Sequence, residues 1–297
     1  MSLQWALSLN ILRKRYVFFC LFLDRLAEKL TIFTISNKQE NLSFAVRNLT
    51  AKHQNSNLEN LTRRNVRVGN DSMEKEVLKY EMGPGVEAFS TRKECGLPYP
   101  VLQPHQTHST RVEVIGSPDV SRDDLQGVDA LVTDLRGVAI GVRTADCIPV
   151  LLYDPVKKVI GAAHSGWRGT INHISTKAVL EMARRWGSLP SDIRAAIGPG
   201  IGLDSFQVGE EVAVYFKESG FPLDRIWSFR GPGVPGSMEG GHHIDLKECI
   251  RFTLLKCGLL EANISVCPVD TYLDGSFYSA RREGKQTGRI INSIKLL

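Results

Sequence analysis

Val150-Leu151-Leu152-Tyr153 and, a few residues on, Val159-Ile160-Gly161-Ala162-Ala163 are apolar from end to end. Short runs without polar alternation are what strands look like when both faces are covered. Working outward, Ala130-Leu131-Val132-Thr133 and Val138-Ala139-Ile140-Gly141-Val142 read the same way, each bounded by Asp, Gly or Pro. Residues 86–92 read as a first strand, and residues 111–115 alternate polar and apolar as a half-buried strand does. After the second run the period changes. Residues 170–186 place Ile171, Ile174, Ala178, Leu180, Met182 and Ala183 at helical spacing, and Gly187 ends the pattern. Further helices are expected over 210–219 and over 246–257, the last stopped by Gly258. Strands gather early and helices follow without a regular βαβ alternation, which favours α+β over a doubly wound sheet. The expected architecture is one compact domain over residues 73–297, with mixed β-sheets flanked by helices.

Three stretches carry chemistry: Gln106-Thr107-His108-Ser109, Thr144-Ala145-Asp146-Cys147, and Ala163-His164-Ser165-Gly166-Trp167-Arg168-Gly169. They put two His and one Cys at strand-to-loop junctions. Three protein ligands leave a fourth position open, as catalytic zinc sites do, whereas structural sites close the shell with four. No two of these residues have zinc-finger spacing, so the fold must bring them together. Each also has a plainer reading. His108 could be a loop histidine bonded to a carbonyl, and Cys147 a small buried hydrophobe. Asp146 either orients a ligand histidine or caps a turn. His105 sits on the wrong side of an extended backbone to join His108. The Gly-rich turn after His164 exposes backbone amides to an anion, and Arg168 adds a planar fork for phosphate or carboxylate. Trp167 reads as core. His242 and His243 precede Asp245, which reads as a helix N-cap and accounts for them without a metal.

Charge argues against a polynucleotide partner once it is divided along the chain. The whole carries 37 Lys+Arg and 32 Asp+Glu; residues 1–72 hold 11 and 5 of these, leaving a nearly neutral 26 and 27 in the rest. A phosphate-backbone binder needs a basic face, so no nucleic acid is expected. The apolar run after Arg13-Lys14-Arg15 is broken at Asp24-Arg25, too short to span a bilayer, and no small-residue cleavage site follows, so no membrane is expected either. Residues 36–72 are rich in Asn, Gln, Lys, Arg and Ser, and residues 1–72 read as an atypical, disordered extension or a mis-called start. Six scattered cysteines without framework spacing read as reduced thiols in a cytoplasm.

The runs Gly127-Val128-Asp129-Ala130-Leu131-Val132-Thr133-Asp134, Val142-Arg143-Thr144-Ala145-Asp146-Cys147-Ile148-Pro149-Val150, Ala162-Ala163-His164-Ser165-Gly166-Trp167-Arg168-Gly169, Ile197-Gly198-Pro199-Gly200-Ile201 and Phe277-Tyr278-Ser279-Ala280-Arg281-Arg282-Glu283-Gly284 together resemble the YfiH family, also called the laccase-domain or polyphenol oxidase-like family. The match begins near Met73. The resemblance implies zinc, with copper as the alternative metal, held by His108, Cys147 and His164. It implies catalytic roles for Cys147, His164 and Arg168, and substrate-binding roles for Arg92, Arg168, Arg281 and Arg282. It also implies phosphorolysis of purine nucleosides (adenosine, inosine, guanosine, methylthioadenosine) with phosphate, alongside adenosine deamination. The sequence departs from the pattern in the segment between its first strand and the Gln-x-His word, which is short here, so substrate contacts from that segment are not carried over.

Three rival readings stand beside it. A copper-dependent phenol oxidase follows from the family's older name, but the multiple His-x-His words of a multicopper site are absent. A cysteine hydrolase would pair Cys147 as nucleophile with His164 as base and need no metal. A role in editing peptidoglycan precursors is the third. Oligomeric state is not legible.

Overall fold

Strand parity assigns the layers. The computed structural model describes residues 77–121, 123–231 and 240–297. The expectation for residues 1–72 lies outside them. The strands β1 (Val77–Lys79), β2 (Val86–Thr91), β3 (Arg111–Val114), β4 (Val128–Thr133), β5 (Ala139–Thr144), β6 (Ile148–Asp154) and β7 (Val159–Ser165) come first. Then follow α1 (Trp167–Ile171), α2 (Ile174–Trp186), β8 (Arg194–Ile197), β9 (Gln207–Val208), α3 (Glu210–Glu218), α4 (Leu223–Ile226), β10 (Trp227–Arg230), β11 (Gly241–Ile244), α5 (Leu246–Lys256), β12 (Ile264–Val266), α6 (Ala280–Glu283) and β13 (Ile290–Leu296).

A six-stranded sheet in the order β12-β8-β6-β7-β4-β3 forms the middle layer. It is mixed: β12–β8 and β3–β4 are parallel, and the other pairs antiparallel. Every residue of β4, β6 and β7 is buried; their apolar stretches require it, and the polar Asp129, Thr133, Asp154, His164 and Ser165 are buried with them. Successive residues point to opposite faces. Ala130, Val132, Val150, Leu152 and Ala163 pack with Ile174, Ala178, Val179 and Met182 of α2. Their neighbours Leu131, Leu151, Tyr153, Ile160 and Ala162 pack instead with Ala88, Ile140, Val142, Ile294 and Leu296. Those five belong to an antiparallel sheet in the order β1-β2-β13-β5, the second layer. Each large aliphatic side chain so buried contributes about 1.5–3 kcal/mol. A small sheet, β10-β11-β9, stands beside the helices.

The helix expected over 170–186 is two helices. His173 adopts a left-handed backbone (φ 59°) between α1 and α2, which ends the first. Gly187 is the left-handed C-cap of α2, and its N–H donates to the Ala183 carbonyl. Asp245 caps α5 through a bond from the Glu248 N–H at 3.0 Å. The preceding His242 and His243 lie on β11, not in a turn, and the His243 Nδ1–H donates to the Leu203 carbonyl. No helix among the described residues is long and apolar enough to cross a membrane.

Candidate metal centre

Three separate elements deliver the three ligand-type residues. His108 lies in the loop before β3, Cys147 in the turn between β5 and β6, and His164 inside the end of β7. The β6–β7 register opposes Ile148 to Ser165 and Pro149 to His164, so the residue before β6 arrives beside the end of β7. Gln106 joins the first loop to β5 through its amide, accepting from the Arg143 N–H at 2.7 Å and donating to the Arg143 carbonyl at 2.8 Å. That clamp is the structural use of the Gln in the Gln-x-His word.

Asp129 on β4 organises the cluster from behind. It is fully buried, and accepts from the backbone N–H groups of Thr107 (3.1 Å), His108 (3.1 Å) and Ser109 (2.7 Å) and from His164 Nδ1 (2.7 Å). Burial works to raise its carboxyl, but the His164 hydrogen bond and charge and the backbone donors hold it below the ordinary value. The same carboxylate bends the His108 loop, whose His108 backbone is left-handed (φ 62°), and fixes the His164 tautomer so that Nε2 faces the cluster. An ionisable residue inside an otherwise apolar, two-sided strand was the available signal, since a buried carboxylate must be paired.

Asp146, left-handed at φ 82°, orients no ligand histidine. Its carboxylate accepts from the Thr271 hydroxyl at 2.8 Å and the Arg281 N–H at 2.6 Å, tying the Cys147 turn to two distant segments. Gly166 was also missed. A Cβ there would lie 2.8 Å from His108 Cδ2 and 3.0 Å from Cys147 Sγ, so only hydrogen leaves room for the cluster.

The ligand atoms of His108, Cys147 and His164 lie within 4.8 Å of one another. Cys147 Sγ is 3.7 Å from His108 Nε2. Metal–sulfur and metal–nitrogen bonds of zinc length at a tetrahedral angle put S and N about 3.6 Å apart, so the residues fit a metal. One thiolate and two imidazoles suit zinc or copper. The half-buried Cys147 and the buried His164 polarise each other. Burial opposes charge on Cys147, yet the His164 charge and hydrogen bonds from both histidines bring its thiol down to about 6. Burial likewise opposes charge on His164, but the Cys147 thiolate and Asp129 push it up to about 9.

The cluster forms the floor of a pocket of about 530 Å³. Its lining includes Arg143, Lys285 and Arg289 and, among the described residues, no Asp or Glu. The arginines singled out in the sequence are placed elsewhere. Arg168 lies over the Trp167 ring at 4.3 Å, and that ring stacks on Tyr215. Arg92 lies over Phe277 at 4.8 Å, bonds Ser276 and pairs with Asp274. The Arg281 guanidinium donates to the Gln207 carbonyl at 3.0 Å. Arg282 donates to the carbonyls of Thr271, Tyr272 and Phe277 and pairs with Glu283. None of the four is among the residues lining the pocket.

A family model described as "Multi-copper polyphenol oxidoreductase laccase" matches residues 88–297. The chain is similar to a purine nucleoside phosphorylase of Bacteroides thetaiotaomicron, 38% identical over 207 residues, which are 67% of this chain and 74% of that protein. It is similar also to adenosine deaminase RL5 of an unknown prokaryotic organism, 41% identical over 201 residues, 65% of this chain and 74% of that protein. Among solved structures, the hypothetical protein YfiH of Bacillus licheniformis superposes with a TM-score of 0.69 at 28% identity, covering 78% of this chain and 99% of that one.

Proposed function

The chain belongs to the multi-copper polyphenol oxidoreductase laccase family, and from that premise we propose that it is a zinc-dependent purine nucleoside phosphorylase that also deaminates adenosine. The convergence of His108, Cys147 and His164 at the floor of a nucleoside-sized pocket is the observation that carries the reading. The names of its relatives supply the substrate class. The Cys147 thiolate and the two imidazole nitrogens would hold the metal, with Asp129 keeping the proton of His164 on Nδ1. A bound zinc ion acts as a Lewis acid and lowers the pKa of a coordinated water. In phosphorolysis a phosphate oxygen bonds to the ribose C1′ as the bond from C1′ to the purine nitrogen breaks. The electron pair leaves with the base, which takes up a proton. The chain's part is to bind both partners in one pocket and hold them in line, which turns a bimolecular step into an effectively unimolecular one.

A metal-free cysteine hydrolase is favoured by one observation, the depressed Cys147 thiol beside His164. One experiment separates the two: metal analysis of the purified protein, with inosine and phosphate turnover before and after chelation. Zinc at one per chain, activity lost on chelation and restored on adding zinc is the expected result. Full activity in chelated protein would overturn the metal reading.

A further inference from the structure

Arg143, Lys285 and Arg289 put three cationic side chains on the lining of the pocket over the metal cluster. The β5–β13 pairing brings two remote segments together at its wall, aligning Thr144 with Ile290 and Arg143 with Ile291. Arg143 is the one exposed residue of β5, and its backbone is held on both sides by Gln106. Just before β13, the Arg289 guanidinium donates to the carbonyls of Thr287, Gly288 and Lys285, folding the segment back on itself. Arg289 therefore shapes the segment and presents Lys285. The Lys285 ammonium has no hydrogen bond or ion pair among the described residues, although it lines the pocket. The acid close to it in sequence, Glu283, is already engaged by Lys93 and Arg282. A concave site lined by several cationic side chains, with no carboxylate among its described lining residues, concentrates an anion.

We propose that Lys285 and Arg143 form the subsite for a phosphate dianion beside the metal cluster, with Arg289 as the positioning residue. This deepens the phosphorylase reading and rests on it for the identity of the anion. It also moves the phosphate contact away from Arg168, whose guanidinium is laid over Trp167. The phosphate group could arrive as free inorganic phosphate or attached to a nucleotide, and the wall would recognise the same dianion in either.

The test is equilibrium binding of inorganic phosphate to the full, zinc-loaded chain, followed by ³¹P NMR or calorimetry, with adenosine 5′-monophosphate as a second arm. Charged hydrogen bonds of this kind are worth tenfold or more in affinity. Lys285→Met and Arg143→Gln should each raise the phosphate Kd about tenfold or more, with zinc content unchanged, while Lys285→Arg restores most of it and Arg168→Ala leaves it alone. Lys285 is exposed, so its variant folds even if Arg143→Gln does not. Phosphate displaced by the nucleotide at similar affinity points to the free ion; a nucleotide that binds tenfold tighter points to the attached group. A phosphate Kd within twofold of the parent in both Lys285→Met and Arg143→Gln, a parent that binds no phosphate, or a loss that follows Arg168→Ala overturns the subsite. Lys285-dependent phosphate binding in a protein that cleaves no nucleoside would instead refute the phosphorylase reading and leave the subsite standing.

Discussion

Gly166→Ala adds one methyl group at the tightest point of the cluster. Its backbone, φ −68° and ψ 171°, is one that alanine adopts freely, so the substitution tests space alone. The added Cβ would lie 2.8 Å from His108 Cδ2 and 3.0 Å from Cys147 Sγ, against a comfortable separation of about 3.5–4.0 Å. Both ligands must then give way, His108 by about 0.7 Å and Cys147 by about 0.5 Å, whereas ligand distances tolerate about 0.2 Å. His108 is the exposed member and swings out at little packing cost, so the metal-free protein should melt close to the parent temperature. Metal affinity should fall about 10- to 100-fold, the loss typical of disturbing a ligand's support. Competition against a chromogenic chelator reads the affinity, and a thermal melt of the stripped protein checks the fold. A Gly166→Ala protein that holds zinc within twofold of the parent would show that the three residues do not share one ion.

Asp129→Asn should turn an amide –NH₂ toward backbone N–H donors that now meet carboxylate oxygens. At about 1–3 kcal/mol per orphaned donor, the melting temperature should drop by several degrees and zinc affinity should fall with it; an unchanged melt would refute the role given to this carboxylate. Cys147→Ser should lose zinc and nucleoside turnover together, since a neutral hydroxyl replaces the soft thiolate; a zinc-replete but dead variant in metal analysis would favour the nucleophile reading. In stripped protein the thiolate of Cys147 is the reactive form and its pKa is lowered to about 6, so alkylation should stay near its maximum above pH 7 and fall as pH drops through about 6. With Cys147→Ser protein as the background, a midpoint near 8.5 by mass spectrometry would show that the His164 partnership does not form.

The layered architecture was legible because strands buried on both faces are mostly apolar, so the middles of β4, β6 and β7 stand out as apolar runs. Gly187 and Asp245 were legible as caps because the chemistry of a cap is local. The break at His173 was not, since a left-handed histidine leaves no mark on helical periodicity. Nor were β9 and β12, which are two or three residues long and owe their strand geometry to partners far along the chain.

At the site, residue type and position at strand ends marked His108, Cys147 and His164 as ligand material, and the family resemblance chose that reading over a loop histidine and a buried cysteine. What brings their donor atoms within 4.8 Å is the pairing of β4, β6 and β7 together with one buried carboxylate. Arginine is the opposite case. The sequence marks every guanidinium equally, and only the tertiary structure shows that those of Arg92, Arg281 and Arg282 are bonded to neighbouring carbonyls, hydroxyls and acids away from the pocket lining, and that Arg143 and Lys285 are part of that lining. A long, charged side chain takes its partner from whatever the fold places within reach, and that partner comes from pairings such as β5 with β13, nearly 150 residues apart in the chain.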